Sequence, residues 1–191
     1  MRGITWLRSE GIFTTVSFTA QQANVKDFAK LAKHCRDAGV NKLWFDRVVI
    51  PAEEDRNGLS LTAKQCTSLF KKAAKLTRTT PTRCIRALQF LECDNAPVYR
   101  CTAGERLLAV LANGDVMACR RLPIVLGNVR DQDLATIYFN STDAIALRTS
   151  GVPAACSSCT HASICGGGAK CIAYARKQDY TVADPDCPLL R

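Results

Sequence analysis

Thiols dominate the chemistry that this sequence can perform. The chain has 191 residues and 11 cysteines, and eight of these lie after residue 92. Three form the closely spaced set Cys156-x2-Cys159-x5-Cys165. A C-x2-C pair places two sulfurs on one tight loop, so a third thiol can bind the same metal centre. This part of the sequence therefore predicts a thiolate-bound metal site.

A disulfide scaffold is the less favoured explanation of the cysteines. Secreted disulfide scaffolds are short and carry a secretion signal. Here the number of cysteines is odd, and Arg8 and Glu10 interrupt any apolar signal core near the N-terminus. We therefore expect reduced thiols and a cytoplasmic protein.

The spacing of the thiols leaves the identity of the metal open. Zinc accepts all-thiolate tetrahedral sites with C-x2-C pairs, and iron–sulfur clusters accept the same ligands. The run Gly166-Gly167-Gly168 favours iron–sulfur. Without β-carbons, this backbone can approach inorganic sulfide and donate N–H groups to it.

Charge and cysteine content change together along the chain. The formal net charge is +9; residues 1–92 hold 16 Lys/Arg against 8 Asp/Glu, and residues 93–191 hold 10 against 9. This joint shift predicts two domains, 1–92 and 93–191. Aromatic content is only 7%, so the basic residues fit solvated helix faces better than a nucleic-acid site. No apolar run reaches the roughly 18 residues that a membrane span requires.

Strand and helix patterns alternate in residues 1–92. β-branched and aromatic residues predict strands at 12–19, 42–49 and 85–91. Capping-box pairs, Asn24 with Asp27 and Thr62 with Gln65, predict the starts of two intervening helices. The order strand–helix–strand–helix–strand implies parallel βαβ units. Because three parallel strands leave both sheet edges open, this α/β segment is expected to be part of a barrel rather than a complete one.

The three cysteines of this part differ in context. Cys35 and Cys66 lie on apolar helix stripes, where a free thiol packs as a small hydrophobic group. The pattern around Cys84 does not decide between packing and metal binding.

A β-hairpin opens the cysteine-rich part. Residues 107–112 and 115–119 flank Asn113-Gly114, a strong hairpin-turn signal. The turn is expected to bring Cys119 back beside the chain that follows Cys101.

The cysteine spacings resemble those of the SPASM domain, the auxiliary-cluster extension of radical S-adenosylmethionine enzymes. That family's signature is C-x9–15-G-x4-C, then C-x2-C-x5-C-x3-C, then a final C. Cys101, Gly114 and Cys119 match the first block, the set from Cys156 to Cys165 matches most of the second, and Cys187 in the sequence DPDCP matches the last position. The expected x3 position is Ala169, and the thiol comes two residues later, at Cys171.

The resemblance implies a fold and a set of cofactors. Residues 1–92 would be the C-terminal units of a radical S-adenosylmethionine-type partial (β/α) barrel, and residues 93–191 a SPASM domain with a β-hairpin. Two auxiliary [4Fe–4S] clusters would divide the eight thiols. One set would be Cys156, Cys159, Cys165 and Cys187; the other would be Cys93, Cys101, Cys119 and Cys171.

The resemblance also implies a function. The chain would be the C-terminal portion of an enzyme that modifies a peptide or protein. No C-x3-C-x2-C loop, which binds the S-adenosylmethionine cluster in that family, occurs among the eleven cysteines. We therefore expect the chain alone to be inactive, and S-adenosylmethionine to bind only if a second chain or a missing half supplies that loop. The alternative is a non-catalytic iron–sulfur or zinc module that binds a partner peptide or completes a split enzyme.

Overall fold

The computed structural model describes residues 2–55 and 57–190, which fold as two compact units. The first unit contains the chain up to Tyr99 together with Asp186–Leu189. The second unit is Arg100–Pro185 together with Leu190.

A three-stranded parallel sheet organises the first unit. After helix α1 (Arg2–Ser9), strands and helices alternate: β1 (Thr15–Ala20), α2 (Phe28–Asp37), β2 (Lys42–Arg47), α3 (Ala63–Leu76) and β3 (Thr82–Arg83). The strand order is β1-β2-β3, and both pairs are parallel. The α/β class and the parallel βαβ arrangement predicted from the sequence are confirmed.

Aromatic side chains from the helices and the central strand form the core of this unit. The ring centroid of Phe28 lies 4.8 Å from that of Phe45, which in turn lies 6.1 Å from that of Phe70. Cys35 and Cys66 are completely buried on the same helices, as the apolar stripes predicted. Both thiols therefore belong to the packed interior of the unit.

The third strand predicted for this unit is wrong. Residues 85–91 do not form a strand; β3 ends at Arg83, Leu88 has a φ of 68°, and Gln89–Leu91 is a 3-10 turn. The buried Gln89 side chain explains the difference, because its amide donates to the Phe45 carbonyl oxygen at 2.9 Å and its oxygen accepts from the Arg86 N–H at 3.1 Å. The Gln89 side chain therefore makes a hydrogen bond to β2 that the backbone of an adjacent strand would otherwise have made.

The two predicted helix starts behave differently. Thr62 and Gln65 form the predicted capping box, with bonds of 3.2 and 2.8 Å to each other's backbone N–H groups. Asn24 makes no capping bond. Its side chain instead bridges the preceding turn, accepting from the Gln21 N–H and donating to the Thr19 carbonyl oxygen. The chain therefore makes a 3-10 turn over Val25–Asp27 before α2 begins.

An antiparallel sheet and four helices make up the second unit. Strands β4 (Ala109–Val110), β5 (Asp115–Cys119) and β6 (Leu122–Asn128) pair in that order. The predicted hairpin turn is confirmed, and Gly114 adopts a φ of 93° within it. Four helices follow: α4 (Leu134–Asn140), α5 (Thr142–Thr149), α6 (Ala162–Cys165) and α7 (Lys170–Lys177). Strand β6 and these four helices were not predicted from the sequence.

Candidate metal centre

Six of the eight predicted ligand thiols lie in the second unit, on four kinds of local structure. Cys101 precedes the hairpin and Cys119 ends β5; both are half-buried. Cys156 ends a 3-10 turn, Cys165 ends α6 and Cys171 lies in the first turn of α7, and all three are buried. Cys159 is half-buried in the loop between them. No disulfide bond joins any two of the eleven cysteines in the structure.

Consecutive tight turns hold the C-x2-C-x5-C segment. The Cys156 N–H donates to the Pro153 carbonyl oxygen at 2.8 Å, and the Cys159 N–H donates to the Cys156 carbonyl oxygen at 3.0 Å. The Cys165 N–H then donates to the His161 carbonyl oxygen at 2.8 Å. Each thiol therefore follows a closed hydrogen-bonded turn, which limits how far its sulfur can move.

The glycine run after Cys165 is fixed by packing as well as by backbone conformation. Gly166, Gly167 and Gly168 have φ values of 65°, 86° and 88°, where side chains are disfavoured. A β-carbon on Gly167 would lie 2.6 Å from Pro153 Cγ, and one on Gly168 would lie 2.5 Å from Asp184 Cβ. The run thus allows the chain to pass closely between two other segments, a reason that the sequence alone did not reveal.

Asp184 fixes the start of helix α7, and so the position of Cys171. Its side chain is completely buried and accepts the Ala169 N–H at 3.0 Å. Its own N–H donates to the Gly167 carbonyl oxygen at 2.8 Å. Because the first N–H groups of a helix have no partner within the helix, this carboxylate stabilises the first turn. Sequence reasoning used the DPDCP segment only as a marker for Cys187 and missed this role.

A backbone N–H lies beside one of the half-buried thiols, and a lysine side chain lies near another. The Arg121 N–H donates to Cys119 Sγ at 3.5 Å. Cys101 and Lys170 line a pocket of about 170 Å3, in which Lys170 Nζ donates to Ser150 Oγ at 2.9 Å. Burial lowers the pKa of Lys170, whereas the charge interaction with Cys101 acts to raise that pKa. N–H donors and positive charge near sulfur stabilise thiolates and tune the metal centres that they bind.

The other two predicted ligands, Cys93 and Cys187, lie in the first unit. Cys187 is half-buried and follows Asp186, whose carboxylate forms a buried ion pair of 2.9 Å with Arg47. Cys93 is buried. Burial, followed by the interaction with Cys93, raises the pKa of the Cys84 thiol.

The donor chemistry of these residues fits a thiolate-bound metal centre. Every predicted ligand is a cysteine, and the Arg121 N–H already donates to one of the sulfurs. Within residues 2–55 and 57–190, no group of three or more His, Cys, Asp or Glu side chains is placed so that it could hold a metal ion. The ligand sets therefore stay predictions from the spacings.

Among the helices in the described part of the chain, none has the length and apolar character needed to cross a membrane.

Sequence comparisons point to the same chemistry as the thiols. Residues 101–160 match SPASM, described as an iron–sulfur cluster-binding domain. The PqqA peptide cyclase of Methylocella silvestris is 36% identical over 90 residues, which cover 44% of this chain and 24% of that protein.

Structural comparisons extend the likeness to almost the whole chain. The structure of anSMEcpe with bound AdoMet has a TM-score of 0.70 at 14% identity, covering 97% of this chain and 53% of that one. SuiB of Streptococcus suis, bound to S-adenosylmethionine, has a TM-score of 0.67 at 15% identity, covering 98% and 48%. A further structure of anSMEcpe contains AdoMet and the Kp18Cys peptide. The chain thus spans about a quarter of the curated relative and about half of these solved structures. The resemblance drawn from the cysteine spacings is confirmed: the chain carries a SPASM segment at residues 101–160 and shares its fold with about half of each of these radical S-adenosylmethionine/SPASM enzymes.

Proposed function

We propose that this chain provides the auxiliary iron–sulfur part of a radical S-adenosylmethionine/SPASM enzyme that modifies a peptide. The observation that carries the proposal is the set of thiols in the second unit. Their spacings follow the SPASM pattern, and five of the six lie in the segment from 101 to 165 that contains the SPASM match at 101–160. Cysteine thiolates are the ligands that [4Fe–4S] clusters require, four for each cluster.

The proposed ligands are Cys101, Cys119, Cys156, Cys159, Cys165 and Cys171. Closed turns before Cys156, Cys159 and Cys165 support this assignment, because ligands held in place lose little conformational entropy when a cluster binds. The first turn of α7, stabilised by Asp184, does the same for Cys171. The assignment of Cys93 and Cys187 to two clusters rests on the resemblance alone.

A bound [4Fe–4S] cluster supplies one-electron transfer or an iron that binds substrate. The protein's own contribution is to set the environment of the sulfurs. The Arg121 N–H donates to Cys119 Sγ, and Lys170 lines the same pocket as Cys101. N–H donors and positive charge near sulfur stabilise the reduced, more negative form of a cluster. This arrangement is suited to a centre that accepts electrons.

Peptides are the proposed substrate class. The curated relative is named for cyclising the peptide PqqA, and one similar structure contains the Kp18Cys peptide. A reducing cytoplasm is the proposed location, because thiols that bind a cluster must stay reduced.

Ligand variants test the cluster assignment. After anaerobic reconstitution, Cys156→Ala and Cys171→Ala should each lose or convert one cluster, so that about half of the bound iron disappears. Cys35→Ala, which removes a thiol that is also buried but packed in the first unit's core, should keep the full iron content.

Iron and acid-labile sulfide are measured per chain, and far-UV circular dichroism verifies folding. Wild-type iron content in Cys156→Ala would refute the proposal. The same content in Cys171→Ala would show that the shifted spacing has abolished that ligand.

A further inference from the structure

One face of the parallel sheet in the first unit is polar. Phe18 of β1 faces the helices, and its ring centroid lies 5.3 Å from that of Phe28 in α2. The alternate residues of the strand, Thr15, Ser17 and Thr19, are exposed. Because successive side chains of a strand point to opposite faces, these hydroxyl groups lie on the face away from the helices. Parallel sheets are normally buried and apolar on both faces, so this face differs from an ordinary packing surface.

The strand register continues the polar character onto the neighbouring strands. Ser17 pairs with Trp44 of β2, and Trp44 pairs with Arg83 of β3. Thr19 pairs with Asp46, and each of these two is the last residue but one of its strand. Ligands of open α/β sheets bind at the carboxyl ends of the strands. Thr19 and Asp46 therefore lie at the end of the sheet where a ligand is expected.

Arg86 is held against this face by contacts on one side of its guanidinium group. The guanidinium carbon lies 4.0 Å from the centroid of the Trp44 ring, and Nε lies 3.6 Å from the Asp46 carboxylate. Nη1 donates to the Ile85 carbonyl oxygen at 3.3 Å, whereas Nη2 makes no hydrogen bond with the residues that the structure describes. The side chain is 29% exposed. Arg86 thus keeps donors for a ligand while its own position is already fixed, which lowers the entropic cost of binding.

Positive charge prevails around Arg86. Lys42 lies on the same side of β2 as Trp44 and Asp46, since residues two apart in a strand share a face. Lys42, Arg83 and Arg86 together oppose the single carboxylate of Asp46. Guanidinium groups bind carboxylates through paired N–H donors. These five residues and the exposed hydroxyl groups of β1 form what we call the polar face, and its charge suits an anionic ligand.

We propose that the polar face binds an acidic residue of the peptide substrate, with Arg86 and Arg83 as the groups that recognise its carboxylate. This inference rests on the proposed function, because that function makes a peptide the substrate. It adds the chemistry that the peptide must present. The half-buried Trp44 ring offers apolar surface for the methylene groups of the acidic side chain.

A matched pair of peptides tests the recognition. Two short fluorescein-labelled peptides are identical except that one has two adjacent glutamates where the other has two glutamines. Fluorescence anisotropy with the full reconstituted chain measures both dissociation constants. The wild type should bind the glutamate peptide about tenfold more tightly, because hydrogen bonds to a charged group are stronger than those to a neutral one. Arg86→Gln should remove most of this preference, whereas Lys72→Gln, which removes the same charge from an exposed position of α3, should keep it.

A charge reversal separates recognition from a purely structural role of the arginine. In Arg86→Glu, the introduced carboxylate joins that of Asp46 beside Trp44, so this variant should prefer a matched peptide with two lysines. The emission of Trp44 provides a second readout in a Trp6→Phe background, because Trp6 is the only other tryptophan of the chain. The glutamate peptide should change this emission in the parent and leave it unchanged once Arg86→Glu is added. Far-UV circular dichroism verifies that each variant is folded.

Four results would overturn the inference. The first is equal affinity of the wild type for the glutamate and glutamine peptides, and the second is no measurable binding of the glutamate peptide. The third is an undiminished preference in Arg86→Gln. The fourth is a wild-type dimer that Arg86→Glu converts to a monomer, since a second copy of the chain would then occupy the polar face.

Iron content, measured on the same preparations, separates failure of this inference from failure of the proposed function. The peptides probe a surface of the first unit, and their binding does not require a cluster. Full iron content without discrimination between the peptides would overturn only the inference. Discrimination by a chain that takes up no iron would support recognition of acidic peptides and refute the proposed function.

Discussion

Replacing Gly168 with alanine should destabilise the chain far more than the same change at Gly151 or Gly166. Three glycines of the second unit form a graded series. At Gly151, no atom lies within 4 Å of the position that a β-carbon would take, and φ is not positive. Gly166 has a φ of 65° but only ordinary contacts, with the flexible Arg100 side chain at 3.6 Å. Gly168 combines a φ of 88° with a β-carbon position 2.5 Å from Asp184 Cβ.

The expected losses follow from these three environments. Gly151→Ala should change the free energy of unfolding little, or raise it by up to about 1 kcal/mol, because alanine restricts the unfolded chain. Gly166→Ala should lower it by about 1–2 kcal/mol through the left-handed backbone conformation. Gly168→Ala adds overpacking of about 1–3 kcal/mol. Displacing Asp184 from the Ala169 N–H adds a further cost of about 1–3 kcal/mol.

Thermal unfolding of the reconstituted variants, followed by circular dichroism, measures this order. At roughly 2–4 °C per kcal/mol for a chain of this size, Gly168→Ala should melt about 10 °C or more below the wild type. Gly166→Ala should melt a few degrees below it, and Gly151→Ala close to it. Equal melting temperatures for the Gly166 and Gly168 variants would refute the reasoning, because the clash with Asp184 would then carry no cost.

Further predictions concern the environment of the thiols and the chemistry of the whole chain. Lys170→Met should shift the midpoint potential of the reconstituted protein to more negative values by roughly 40 mV, the equivalent of about 1 kcal/mol for one electron. The reason is that the Lys170 charge interacts with Cys101. A spectroelectrochemical titration measures the potential, with Lys170→Arg as the matched control. An unchanged potential in Lys170→Met would contradict the prediction. Burial, and then the 2.8 Å bond to Asp143, raise the pKa of Tyr180 to about 12. The pKa of a tyrosine in an unfolded chain is about 10. The stability that depends on neutral Tyr180 is therefore present below pH 10 and is lost as the pH rises toward 12. Tyr180→Phe should therefore flatten the fall in melting temperature over that interval, and an identical fall in both proteins would argue against it. Finally, the purified chain with dithionite and S-adenosylmethionine should form no 5′-deoxyadenosine, because its cysteines contain no C-x3-C-x2-C loop. Product that scales with the concentration of the chain would show that one of its clusters has an iron open to the cofactor.

Short-range signals in the sequence predicted the fold well where they were strong. The capping box at Thr62, the hairpin turn at Gly114 and the apolar stripes around Cys35 and Cys66 all depend on residues a few positions apart. Such predictions hold in the folded chain because nearby residues already satisfy the hydrogen-bonding groups and the conformation of the backbone.

A long-range hydrogen bond accounts for the strand that was wrongly predicted in the first unit. Residues 85–91 have strand-forming composition, but the Gln89 side chain bonds to Phe45, 44 positions away. A propensity argument cannot include a partner at that distance.

The same limit applies to the candidate metal centre. The thiols were recognisable from their spacing, but the buried carboxylates that position the backbone near them were not. Asp184 bonds to Ala169 and Asp186 pairs with Arg47 at 2.9 Å. Both aspartates belong to the DPDCP segment, in which only the cysteine was assigned a role from the sequence. The neighbouring residues do not distinguish a buried aspartate from an aspartate in an exposed turn.

Metal identity tests the central claim most directly. The chain is reconstituted anaerobically with iron and sulfide in the presence of equimolar zinc, desalted, and analysed for all three elements and for its visible spectrum. We expect about eight irons and about eight sulfides per chain, with the broad brown absorbance of [4Fe–4S] clusters. A colourless protein that holds only stoichiometric zinc would contradict the account.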